Sequence, residues 1–158
     1  MIPSAQAVVL LMAMTTNGLL AGVYLAFSVA ISPALRRLDA GTHVRASTSV
    51  NLVIINPVFL TLFFGAPVFA VAAAIMTWSS TTGLVAGIAA AFSLVGFVVT
   101  VAVNVPLNRA LEAADALDDA QALIALSSFE IRWDRANVIR TAACLSTVLT
   151  LGWTAVAT

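Results

Sequence analysis

PVFLTLFFGAPVFAVAAAIMTW (57–78), SSTTG (79–83) and LVAGIAAAFSLVGFVVTVAVNV (84–105) follow one another without a formal charge. The hydrocarbon core of a bilayer is about 30 Å thick and takes about 20 apolar residues as helix. Two runs of that length joined by a tight polar turn read as a pair of membrane-crossing helices. Pro57 suits a first helical turn, where its missing amide has no partner to lose. Pro67 falls inside the same run and predicts a kink. Two further runs qualify. One extends from Ala5 to Ile31 and is expected to stop at Pro33. The other extends from Val138 to Ala157, with Arg140 near its start. The expected fold is all-α, a single membrane domain over residues 1–158 with four transmembrane helices at about 5–31, 57–78, 84–105 and 138–157.

Composition supports this reading. Of 158 residues, 61% are hydrophobic and 9% charged, and the mean hydropathy is +1.06. A soluble domain carries about 25% charged residues; this chain could not cover its surface in water. No alternating pattern of a membrane barrel appears. Residues Met1 to Gln6 hold no Lys or Arg, so the first apolar run reads as a retained span rather than a cleaved leader.

The connections Ser32–Asn56 and Pro106–Asn137 are long and polar, and each predicts amphipathic helix. Thr42 is a candidate cap for one helix running to Asn56. Leu107, Leu111, Ala114 and Leu117 recur at helical spacing, and Asp118 or Asp119 could cap a short helix through Leu126. All seven basic residues are Arg, and they flank these two connections. The positive-inside rule places both connections in the cytoplasm and both termini outside, in a cell (plasma) membrane. The pairs Gly18/Gly22 and Gly83/Gly87 allow close helix approach, within one bundle or across a homo-oligomer seam.

Formal net charge is zero, which argues against nucleic acid as a partner. The single Cys144 excludes redox chemistry built on paired cysteines, and the single His43 excludes sites needing two histidines. No Glu-x-x-His pair, HExxH or CxxC is present.

Polar groups at the edge of an apolar bundle are costly unless paired, so they are candidates for function. Asn104 and Asn108 (NVPLN) stand one turn apart around Pro106; Asn104 alternatively caps carbonyls freed by that proline. Trp133, Asn137 and Arg140 (WDRANVIR) share one helix face, either as an interfacial anchor or as a pocket wall. Asn51 and Asn56 (NLVIINP) approach from the same side. Together they suit the mouth of a pocket for a flat, largely apolar ligand with a few oxygens. His43 is a surface histidine, a catalytic base or a haem ligand. Tyr24 is a proton donor or a packed core residue.

Four stretches, GVYLAFSVAISPAL (22–35), NLVIINPVF (51–59), NVPLNRAL (104–111) and FEIRWDRANVIRT (129–141), resemble the anthrone oxygenase-like family of small four-helix membrane proteins. The resemblance implies oxidation of an anthrone-type polycyclic phenol to its quinone by dioxygen, a monooxygenase reaction of polyketide biosynthesis. Such chemistry needs a base, donors for phenolate oxygens and a dry pocket. His43, Asn137 and Arg140 are then the expected catalytic residues, and Asn51, Asn56, Asn104, Asn108, Trp133 and Tyr24 the expected substrate contacts. The partners are a small apolar substrate, dioxygen and membrane lipid, with no metal and no cofactor. Haem held through His43, a quinone-dependent oxidoreductase, and a membrane carrier or binding module are the alternatives.

Overall fold

A computed structural model describes residues 4–114 and 118–156. These form five helices: α1 (Ala5–Leu35), α2 (Ala40–Ile54), α3 (Pro57–Thr77), α4 (Gly83–Glu112) and α5 (Asp119–Val156). The described residues contain no strand. Three helices, α1, α3 and α4, are long and apolar enough to cross a membrane. The chain is a membrane protein on that ground. Leu117 and Ala157, which figure in the expected elements, lie outside the described residues.

Side chains cap four of the five helix starts; Thr82, before α4, makes no such bond. Ser4 accepts from Ala7 N, Asp39 from Thr42 N and Asn56 from Phe59 N. Asp118 accepts from Ala120 N and Gln121 N. The cap of α2 is therefore Asp39, not the expected Thr42, whose amide is the donor. Each cap satisfies an amide that has no carbonyl partner in the first turn.

Two expected helix ends are absent. Pro33 does not end α1 and Pro106 does not end α4. A π-turn, Phe27–Ile31 in α1 and Thr100–Asn104 in α4, lies immediately before each proline-bearing turn. Proline removes one amide donor and crowds the preceding turn; the wider ring takes up the mismatch and the helix continues. Similarly, Asp119 does not open a short helix ending at Leu126. It opens a single helix of 38 residues, about 57 Å long at 1.5 Å per residue. No breaker separates its amphipathic first half from its apolar second half.

In the bundle, α1 packs on α3 and α5, and α4 packs on the same two helices from the opposite side. Ala13, Ala70, Ala86, Ala89 and Leu151 are fully buried at one end. Such small side chains let the backbones approach closely. Asn17 ties this core together: its Nδ2 donates to Ala13 O (2.9 Å) and Ala66 O (3.3 Å), and Oδ1 accepts from Ser93 Oγ (2.9 Å). Gly18 faces α5, where an added Cβ would lie 3.9 Å from Val148 Cγ2, while Gly22 and Gly87 have open space. Gly83 serves the turn instead: a Cβ there would stand 2.6 Å from Trp78 O. At the other end, α2 and the first half of α5 cover the bundle. Val44, Leu111, Ala122 and Leu126 form a separate small core there.

Candidate active site

The covered end of the bundle holds a cavity of about 120 Å³. All five helices contribute to its wall. Helix α2 presents His43, Ser47, Asn51 and Ile54 at successive helical spacings, so one face of that helix forms one side. The two π-turns supply Phe27 and Asn104, consistent with the way such turns re-aim side chains at functional positions. Helix α5 supplies Phe129, Glu130, Trp133, Asp134 and Arg140.

Of the residues expected from sequence, Tyr24, His43, Asn51, Asn104, Asn108, Trp133 and Arg140 all line this cavity. Asn51, Asn108 and Trp133 form a chain: Trp133 Nε1 donates to Asn108 Oδ1 (2.8 Å), and Asn108 Nδ2 donates to Asn51 Oδ1 (2.6 Å). The indole of Trp133 is flanked by Phe27 and Phe129, with ring centroids 5.4 and 5.9 Å away. It makes a flat apolar wall whose polar edge is already satisfied.

Two expected residues lie elsewhere. Asn56 is exposed and caps α3, and its Nδ2 bonds to Val53 O (3.1 Å); its role is local. Asn137 is fully buried beneath the cavity wall. Its Nδ2 donates to Tyr24 O (2.7 Å) and Ser28 Oγ (2.8 Å), and its Oδ1 accepts from Arg140 Nη2 (2.7 Å). It positions Arg140 and the π-turn of α1.

Arg140 turns inward. It is 5% exposed, so it is not a headgroup anchor. Its guanidinium carbon lies 4.2 Å from the Tyr24 ring centroid and 5.4 Å from that of Trp133, a cation–π arrangement. It pairs with neither Glu130 nor Asp134. Those carboxylates belong to Arg36, which bonds to Asp134 and lies 3.5 Å from Glu130.

His43 is 5% exposed and its Nδ1 faces Glu130 Oε1 at 3.4 Å. Burial holds its pKa below the ordinary value, Glu130 opposes that shift, and Arg36 adds to it. The ring is therefore kept neutral near pH 7. With its proton on Nδ1 toward Glu130, Nε2 keeps a free lone pair. A buried imidazole and a carboxylate thus stand together at the cavity wall.

Three buried side-chain atoms among the described residues have no hydrogen-bond partner: Ser47 Oγ, Asn104 Oδ1 and Arg140 Nε. All three belong to residues of this one cavity. An unpaired buried polar atom costs about 1–3 kcal/mol. All three border a single space, which concentrates unmet hydrogen-bonding capacity there.

Residues 54–150 of the 158 match the sequence model of the family described as anthrone oxygenase. The chain belongs to the anthrone oxygenase family. No curated protein and no solved structure matches it. The anthrone oxygenase match covers α3, α4 and most of α5, hence Asn104, Asn108, Trp133 and Arg140. Tyr24, His43, Ser47 and Asn51 lie outside the matched residues and complete the same cavity. Ser47 was missed in the sequence reading, although it sits one helical turn from both His43 and Asn51. Glu130 and Asp134 were missed as cavity residues because surface acids on an amphipathic helix carry no distinguishing signal.

Proposed function

We propose that the protein is a membrane-embedded oxygenase that converts an anthrone-type polycyclic phenol and dioxygen to a quinone and water, without a cofactor. The three unpartnered polar atoms around one aromatic-walled cavity carry this reading. Arg140 Nε offers a donor to the substrate's carbonyl oxygen. Asn104 Oδ1 offers an acceptor to a phenol hydroxyl, and Ser47 Oγ can do either. Trp133 and its two phenylalanine neighbours take the flat ring system.

His43 Nε2 removes the acidic proton from the carbon opposite the substrate carbonyl. The negative charge spreads onto that carbonyl oxygen, where Arg140 stabilises it. The resulting electron-rich anion gives one electron to dioxygen, and the two radicals combine to form the new carbon–oxygen bond. The peroxide anion takes a proton from the His43 imidazolium. Loss of water, with the remaining hydrogen of that carbon, leaves the second carbonyl. One oxygen atom enters the quinone and the other leaves as water. Glu130 steadies the imidazolium while it holds the proton.

The apolar second half of α5 is the fourth crossing in this reading. It is too long for a bilayer as a whole, so its charged first half lies outside the hydrocarbon. The arginine-bearing connections face the cytoplasm of a plasma-membrane protein.

The test uses protein in lipid vesicles, an anthrone and ¹⁸O-labelled dioxygen. The expected result is quinone carrying one labelled oxygen, with the rate lost in His43→Asn. Quinone formed no faster than in protein-free vesicles overturns the proposal.

A further inference from the structure

The cavity has two unlike rims. On one side Arg36 bridges α1 to Glu130 and Asp134 of α5, and these three side chains are 30–40% exposed. That rim is polar, charged and pinned by ion pairs. On the other side the wall is made by Ile54, Ile55 and Phe59, where α2 turns into α3. Ile55 belongs to neither helix. Its backbone (φ −78°, ψ 68°) forms an inverse γ-turn closed by Asn56 N donating to Ile54 O at 2.8 Å. It lines the cavity and is nevertheless 56% exposed. A residue with both properties is a wall one side chain thick.

The outer surface at this elbow is apolar. Leu52, Val53 and Val58 are 56%, 71% and 72% exposed. The elbow stands directly before Pro57, the first residue of a membrane-crossing helix. At that level water is replaced by lipid, and an apolar patch that would be costly in water is covered by acyl chains.

We propose that the elbow at Ile55 is a lateral portal, through which an apolar polycyclic ligand dissolved in the bilayer enters the cavity. The class of ligand rests on the function proposed above; the route rests on the two rims. A flat aromatic molecule partitions into hydrocarbon, so the lipid-facing rim meets it at far higher concentration than the ion-paired rim does. Passage needs only the Ile55 side chain to swing aside. The non-helical backbone of the γ-turn leaves it outside both helical hydrogen-bond ladders.

The experiment measures binding of anthraquinone, the product-like probe, in vesicles by quenching of Trp133. The background is Trp78→Phe/Trp153→Phe, which leaves one tryptophan. Widening the portal with Ile55→Ala should speed both association and dissociation. Narrowing it with Ile55→Phe should slow both by about tenfold, equivalent to about 1.4 kcal/mol of barrier, with Kd nearly unchanged. A portal changes rates in both directions equally, whereas a binding contact changes Kd. Binding at unchanged rates in both variants overturns the portal and leaves the proposed function standing. Absence of anthraquinone binding to the parent protein overturns both.

Discussion

Arg140 Nη2 donates to Asn137 Oδ1 over 2.7 Å, one turn earlier on the same helix. That bond fixes the guanidinium against the Tyr24 ring and leaves Nε unpartnered in a cavity-lining side chain. Replacing Arg140 by Lys tests what the plane contributes. A lysine keeps the charge but cannot hold Asn137 and a ligand oxygen with donors set in one plane. The expected loss in kcat/KM is about 10- to 100-fold, or roughly 1.5–3 kcal/mol. Turnover assays on the vesicle-embedded variant check it; unchanged turnover would mean that the charge alone suffices.

Asn137 and Asn104 should respond oppositely to the same change. Asn137→Leu leaves Ser28 Oγ and Arg140 Nη2 without this partner and removes one of two donors from Tyr24 O, which still accepts from Phe27 N. Each group stranded in a buried site costs about 1–3 kcal/mol, so thermal stability should fall clearly. Asn104 makes a single bond, a long one of 3.5 Å to Trp133 O, and its Oδ1 has no partner. Asn104→Leu should leave the melting temperature nearly unchanged while binding and turnover drop. Thermal unfolding and ligand binding on both variants separate the two roles.

The pH dependence follows from His43. Burial lowers its pKa from the ordinary 6.5. As the working base it must be neutral, so the acidic limb of kcat/KM should lie below that value. The unfolded chain takes up this proton first as pH falls through 6.5. Stability linked to His43 is therefore full above that pH and declines as pH drops below it. Glu130 is the influence that raises this pKa. Glu130→Gln should move the acidic limb to still lower pH, as a kcat/KM profile would show.

The arrangement of arginines carries a topological expectation. Arg36, Arg37 and Arg45 lie in one connection, and Arg109, Arg132 and Arg135 lie in the other. With α5 as a fourth crossing, both termini face away from the cytoplasm. A reporter active only outside the cytoplasm, fused at Thr158, should be active. Activity instead from a cytoplasmic reporter at the same position would reverse the orientation.

Long apolar runs separated by polar connections determined, from the sequence alone, that the chain is helical and belongs in a membrane. Burial of backbone polar groups in lipid permits little else, and hydropathy records it directly. The same logic made Asn51, Asn104, Asn108, Trp133 and Arg140 conspicuous, because polar side chains in apolar surroundings stand out. Tertiary structure alone decided what each of them does. Asn137 and Arg140 occupy the same helix face, yet one is saturated by Tyr24 and Ser28 across the bundle and the other keeps a free donor. Asn56 matches Asn51 in type and neighbourhood, but its proximity to Pro57 commits it to capping α3. The helix ends were also beyond sequence reading. Proline forbids one hydrogen bond, and whether a helix stops or widens into a π-turn depends on the packing available past it, which at Pro33 and Pro106 continues the helices into the cavity wall.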